Sequence, residues 1–313
     1  MTRVVSSRRT AASEAVFGSA ARGDNDALSD RDVLIVDDDV AVLSSRIQAL
    51  EAEGASVASY TFAKLEALSA RGALFIQHLK LEANISRDRN GRLGKLLAGF
   101  VPKDDYSAEI EENTHLSKLA GLVPVGARGM LLAADILYVT VRNHGVLSLA
   151  SRGIHVYAFD NVVALLERER MIAPGGARAL KALRFLKCLY RNGEGGRAHA
   201  AKEAIDIALA VLPSEYFPPE ICGVDPRDII GAPVPQPGAS SYLVLRDLER
   251  RLVALQMLGR EHLLKGDGLK LAAWIANPRA YAMTSCRNAP RLQSAIARAA
   301  RIDADEILIA AQR

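Results

Sequence analysis

The apolar residues change their period partway along the chain, and that change limits the fold more than any other feature. From Ala15 to about Asp88, short apolar runs (Val33 to Val36, then Ala55 to Tyr60) alternate with stretches of helical spacing. That is the pattern of a small sheet with helices on its flank. After Val125 strand-like alternation nearly disappears, and segments of Ala, Leu, Arg and Glu at helical spacing run to Ala310. The expected fold is α+β: an N-terminal domain (1–122) built on a small mixed sheet with flanking helices, then an all-helical domain (123–313). At 313 residues, 50% of them apolar, the chain can bury a substantial core in one large domain or two ordinary ones.

Punctuation refines this outline. The acidic segment Gly99 to Pro124, with Asp104, Asp105, Glu109, Glu111 and Glu112 between Pro102 and Pro124, reads as a linker with room for one short helix. Pro213 to Ser240 holds Pro213, Pro218, Pro219, Pro226, Pro233, Pro235 and Pro237, a density no helix tolerates, so 213–240 is expected to be a long surface loop. In Leu137 to Arg152, the polar trio Arg142, Asn143 and His144 before Gly145 reads most simply as a helix C-terminus. Trp274 and Tyr281 are expected in the core.

Several classes of protein are disfavoured. No apolar run approaches the about 20 residues needed to cross a bilayer, and Gly129 to Val141 is broken by Asp135, so no membrane partner is expected. Arg3, Arg8 and Arg9 precede no apolar h-region, and a cytoplasmic location is expected. Cys188, Cys222 and Cys286 form no CxxC pair, which argues against a disulfide framework or structural zinc. A formal net charge of +4 permits a phosphate-bearing partner without demanding one.

The chemistry is concentrated in Val16 to Asp39, VFGSAARGDNDALSDRDVLIVDDD. If one strand includes both Asp30 and Asp32, alternation points their carboxylates to the same side of the sheet. Two such acids suit Mg²⁺, which takes one or two carboxylates and shares substrate phosphate oxygens. Gly18 lets the backbone approach a ligand, and the Ser19 hydroxyl with neighbouring N–H groups can hold a triphosphate opposite the metal. Asp37, Asp38 and Asp39 read as a solvated turn before a helix from Ala41 to Glu53, with Asp37 or Asp38 as its cap.

The Gly-Ser turn, the Ala21-Arg22-Gly23 step, a polar interval and then Ser29-Asp30-Arg31-Asp32 with its apolar run resemble the polymerase-β-type nucleotidyltransferases, most closely their minimal bacterial branch. The resemblance is dense over 16–36 and diffuse to about residue 88. It implies that Gly18 and Ser19 contact nucleotide phosphates, that Arg22 sits near the phosphate end, and that Asp30 and Asp32 hold Mg²⁺ or Mn²⁺. It also implies that a third carboxylate should come from a neighbouring strand. The matching strand, Ala55 to Thr61, holds no acid; Ser56, Ala58 and Ser59 stand where one is expected. Glu82, Asp88, Asp104 and Asp105 are the candidates from elsewhere. Arg31 replaces a usually apolar residue and should face away from the metal side.

Gly72 to Asp88 reads as a helix, a turn and a short edge strand, and similar transferases carry a Phe-x-x-His-Leu-x-x-Glu run there. His78 and Glu82 share a helix face, either as an acid–base pair or as a structural hydrogen bond. In Arg178 to Arg191 the wheel gathers Ala179, Ala182, Leu183, Phe185, Leu186, Leu189 and Tyr190 on one side. Lys181, Arg184 and Lys187 lie on the other, either as a solvated face or as a surface for triphosphate or RNA. Arg191 and His199, separated by Gly193, Gly195 and Gly196, do not make a ribonuclease motif on one continuous helix.

The sequence thus leads to a metal-dependent nucleotidyltransferase that moves an NMP from an NTP to a hydroxyl and releases pyrophosphate. Its acceptor is open among a protein, a small molecule, an RNA end or a second nucleotide, and its oligomeric state is open too. The alternative is a catalytically impaired module that binds nucleotide or RNA and regulates a partner.

Overall fold

The computed structural model describes residues 11–26, 29–193, 198–233, 240–266, 269 and 290–299, and their backbone is mixed α+β. Trp274, Tyr281, Cys286, the His199 side chain and residues 234–239 of the Pro-rich interval lie outside what is described. The chain divides into two compact units, one running through Tyr106 and adding Leu149–Ala158, the other comprising Ser107–Ser148 and the chain from Phe159 onward. The boundary read from sequence at residue 122 falls inside the second unit.

In the first unit β1 (Ser13–Phe17), α1 (Ser19–Arg22), β2 (Arg31–Val36), α2 (Val40–Ala52), β3 (Ala55–Tyr60), α3 (Phe62–Ala70), α4 (Leu74–Glu82), β4 (Asn84–Asp88) and α5 (Arg92–Gly99) follow in order. The sheet order is β3-β2-β1-β4, with β4 at an edge. β1 is antiparallel to β2 and to β4, while β2 and β3 are parallel, joined by the α2 crossover.

β2 explains the layering. Four successive buried residues, Val33 to Val36, cannot all face one way on a strand. Leu34 and Val36 join Ala15, Phe17, Tyr60, Leu65, Ile76 and Leu97 on the face covered by α3, α4 and α5. Val33 and Ile35 join Val42, Leu43, Leu50 and Val57 on the face covered by α2.

The acidic turn after β2 is fully employed. Asp37 accepts the Ala12 and Asp39 amides at 2.8 Å each. Asp38 accepts the Phe62 amide at 3.1 Å and pairs with Arg92 at 2.8 Å. The cap of α2 is Asp39, rather than Asp37 or Asp38, because its carboxylate reaches the Ala41 and Val42 amides.

The second unit contains α6 (Ser107–Lys118), β5 (Leu122–Pro124), α7 (Ala127–Ala150), α8 (Phe159–Arg168), α9 (Gly176–Arg191), α10 (Ala198–Ala210), β6 (Cys222–Val224), α11 (Pro226–Gly231) and α12 (Ser241–Met257). The segment read as a linker with room for one short helix holds α6, 12 residues long and anchored by the buried Asn113, whose side chain donates to the Thr140 carbonyl at 2.9 Å. Two expectations are corrected here. The domain read as all-helical contains a parallel pairing of β5 with β6, too short for alternation to show in the sequence. The Pro-rich interval, read as a loop, supplies β6 and α11; Pro226 is tolerated because it stands at the start of the helix, where no intrahelical N–H bond is lost.

The helix expected to end near Gly145 instead continues to Ala150. Gly145 is a packing residue, since a Cβ there would run into Val162 and come within 3.0 Å of Leu166 on α8. On α9 the buried positions are Leu180, Leu183, Leu186 and Tyr190, while Phe185, expected on the apolar face, is exposed.

His144, in the middle of α7, is 4% exposed and packs against the Tyr216 and Phe217 rings at 4.5 and 5.5 Å. Burial lowers its pKa to about 4, from an ordinary value of 6.5. The unfolded chain takes up a proton near pH 6.5 that the folded chain refuses until about pH 4, so this group removes stability as pH falls through that window. The loss integrates to about 3 kcal/mol at about 1.4 kcal/mol per pH unit. Urea unfolding at pH 7 and pH 4.5 should therefore show a smaller acid loss in His144→Gln than in wild type; identical losses would contradict this assignment.

Candidate functional site

The site begins where β1 ends. Phe17 lies directly opposite Asp32 in the antiparallel register, and the chain then turns at Gly18, with φ 69° and ψ −150°, a conformation essentially confined to glycine. A Cβ on Gly18 would lie 2.9 Å from Asp32 Oδ2. Only a bare backbone lets the turn come this close to the carboxylate. The turn is fixed by bonds from the Ala21 and Arg22 amides to the Gly18 carbonyl, both 3.1 Å, and ends at Gly23 in the left-handed region. Ser19 opens the single helical turn α1.

The two acids are held differently. Asp32 is within β2 and half-buried, on the face shared with Phe17 and Leu34. Asp30 is exposed and stands one residue before the strand, after a turn in which Ser29 Oγ donates to Asp26 at 2.8 Å. The condition that one strand carries both acids is therefore not met, and the pleat orients Asp32 alone. Arg31 pairs with Glu53 at 3.8 Å, beyond the end of α2, and so lies on the face away from Asp32.

Arg22 is clamped. It pairs with Asp24 at 3.1 Å and with Glu82 at the end of α4. Glu82 also bonds His78 Nε2 at 2.9 Å. Burial alone would raise Glu82, but the His78 hydrogen bond and the charges of His78 and Arg22 hold it below the usual carboxylate range. Burial likewise works against charge on Arg22, yet Asp24 and Glu82 keep its pKa above the ordinary value.

The His78 ring stacks on Tyr157 at 4.3 Å and meets Phe17 edge-on at 5.5 Å. Asn84 closes the arrangement by donating to the Ala21 carbonyl at 3.1 Å. Tyr157 and Asn84 are the participants that sequence reasoning missed, and no local pattern announces contacts between residues about 60 to 80 apart in the chain.

Two of the carboxylates considered as a third ligand, Glu82 and Asp88, have other duties. Glu82 is committed to Arg22 and His78. Asp88 accepts the Leu93 and Gly94 amides at 3.1 and 2.8 Å and the Ser13 hydroxyl at 2.8 Å, which fixes the start of α5. Asp104 and Asp105 lie past α5 in an irregular stretch. Beside Asp32 in the parallel register stands Ser56. Among the described residues no group of three His, Cys, Asp or Glu is gathered as a metal cage. Asp32, a hard oxygen donor at the turn, is of the type that suits a divalent cation arriving with phosphate oxygens and water in its shell.

Lys181, Arg184 and Lys187 belong to the second unit, away in sequence from the Gly18 turn. Lys181 pairs with Asp160 at 3.6 Å, and Lys187 Nζ lies 5.5 Å from the Tyr138 ring centroid. Among the described residues no helix is long and apolar enough to cross a membrane. Searches against family models, curated proteins and solved structures return no match to this chain.

Gly18→Ala should cost about 1–3 kcal/mol through the glycine-only backbone and its crowding of Asp32. Chemical denaturation measures this, and an unchanged midpoint would contradict the close approach.

Proposed function

We propose that the chain is a metal-dependent nucleotidyltransferase, transferring an NMP from an NTP to a hydroxyl acceptor with release of pyrophosphate. The observation that carries this reading is the Gly18 backbone held against the Asp32 carboxylate, with a Cβ-to-oxygen clearance of only 2.9 Å. A turn of that kind would suit phosphate oxygens and the acid beside it would suit Mg²⁺ or Mn²⁺.

Asp32 would hold the cation, with Asp30 two residues before it as a second candidate ligand, and the bound cation would neutralise phosphate charge. The chain's own part is positioning. The Ser19 hydroxyl and neighbouring N–H groups would orient the triphosphate, and the Asp24–Arg22–Glu82 clamp keeps α1 from shifting. His78, with Tyr157 stacked on it, buttresses Glu82 and needs no part in proton transfer. The acceptor class, whether protein, small molecule, RNA end or second nucleotide, would be set outside this turn.

A second reading has its own support. Ser56, rather than an acid, stands beside Asp32 on β3. A serine there cannot deprotonate an attacking hydroxyl as a carboxylate would, which favours a module that binds nucleotide or RNA and regulates a partner.

Pyrophosphate release from each NTP with Mg²⁺ or Mn²⁺, in cell extract as a source of acceptor, separates the two. The transferase reading predicts release by wild type and a loss of about 100-fold or more in folded Asp32→Ala, the scale of losing a principal electrostatic contact. Equal release by both proteins would contradict it, and metal-dependent binding without release would transfer the assignment to the binding module.

A further inference from the structure

Several charged side chains of the second unit meet around two buried carboxylates, Asp135 and Glu249. Asp135, on α7 and 0% exposed, accepts Arg191 Nε at 2.7 Å and Arg246 Nη2 at 2.6 Å. Its burial would raise its pKa, but the charges of Arg246 and Arg191 reverse the direction and keep it ionised. Glu249 on α12 accepts the Tyr190 hydroxyl at 2.7 Å and pairs with Arg246 Nη1 at 2.7 Å.

Arg128 is the third guanidinium of this cluster and is held differently. It donates to the Tyr190 carbonyl at 2.8 Å and lies 4.2 Å from the centroid of the Tyr190 ring. Among the described residues it pairs with no carboxylate. Asp135 and Glu249 are thus taken up by Arg191 and Arg246, and Arg128 stands as a positive charge in excess of those pairs. Arg128 also stands in the first turn of α7, which contains no acidic side chain. The positive end of the helix dipole adds to the excess there.

The excess opens onto a cleft. A cavity of about 40 Å³ is lined by Arg128, Arg191, Glu249 and Gln256, with Tyr190, Leu252 and Val253 completing its wall. It accommodates a few waters or one polyatomic group. Guanidinium forks match oxyanions in both charge and geometry, and the lining carries two guanidinium groups against one carboxylate.

We propose that this cleft binds the oxyanion group of a small ligand, a phosphate or a carboxylate, with Arg128 and Arg191 as its charged donors and Gln256 at its rim. The site lies wholly within the second unit and is independent of nucleotide chemistry at Asp32.

Isothermal titration of the full chain in EDTA, with sodium phosphate in one arm and sodium acetate in the other and ionic strength held with chloride, tests it. Saturable binding in at least one arm is expected, weakened about tenfold or more, a difference of about 1.4 kcal/mol, in both Arg128→Gln and Gln256→Glu. The arm that binds identifies the group. Gln256 is exposed, so Gln256→Glu places a repelling charge at the rim without disturbing a core, should Arg128→Gln unfold. Absence of saturable binding in both arms, or wild-type affinity in the folded variants, would overturn the proposal.

Discussion

Strand β2 has to bury Val33 and Ile35 in one core and Leu34 and Val36 in another, and the first unit is arranged around that requirement. Helices must cover both faces, so α2 takes one and α3 to α5 take the other. Both neighbours of β2 are fixed as well, β1 antiparallel on one side and β3 parallel on the other. With a buried strand locked in register, a one-residue slip would drive Asp32 into the α2 core and Leu34 off its own. The position of Asp32 is thus a consequence of packing behind it, and the Gly18 turn reaches it because Phe17 is paired across from it.

The same packing explains why charge in this unit is paired rather than scattered. Arg22 lies between Asp24 and Glu82, and Glu82 is braced by a histidine wedged between Phe17 and Tyr157. A triphosphate at the turn would bring several negative charges to Arg22. Asp24 and Glu82 already outweigh Arg22 by one charge and Asp32 adds another, so a triphosphate would meet a net negative turn unless a cation came with it, and in the proposed site metal and nucleotide favour each other. The serine beside Asp32 leaves the polar wall of that site short of one acid, and the distinction between transfer and binding turns on that position.

Legibility in the sequence followed the range of the interactions. The βαβ run from β2 to β3, the helix-turn-edge strand of Gly72 to Asp88 and the glycine at position 18 were readable because periodicity and turn chemistry are local. The cap of α2 was misplaced by one or two residues since three consecutive aspartates offer no local criterion, and each found a different amide to accept. Gly145 looked like a helix end because a glycine at a cap and a glycine at a helix crossing read alike until the opposing Val162 is known. The β5–β6 pairing, the stacking of Tyr157 on His78 and the charge cluster around Asp135 join distant segments, and nothing in a single segment encodes them.

The central claim is that the Gly18 turn and Asp32 form one site for nucleotide and divalent cation. Calorimetric titration of ATP into wild type and Asp32→Asn, each in Mg²⁺ and in EDTA, tests it most directly. The account predicts one ATP bound by wild type in Mg²⁺, with affinity falling about tenfold or more, about 1.4 kcal/mol, either in EDTA or in the folded variant. Equal affinity with and without Mg²⁺, or no effect of Asp32→Asn, would contradict it.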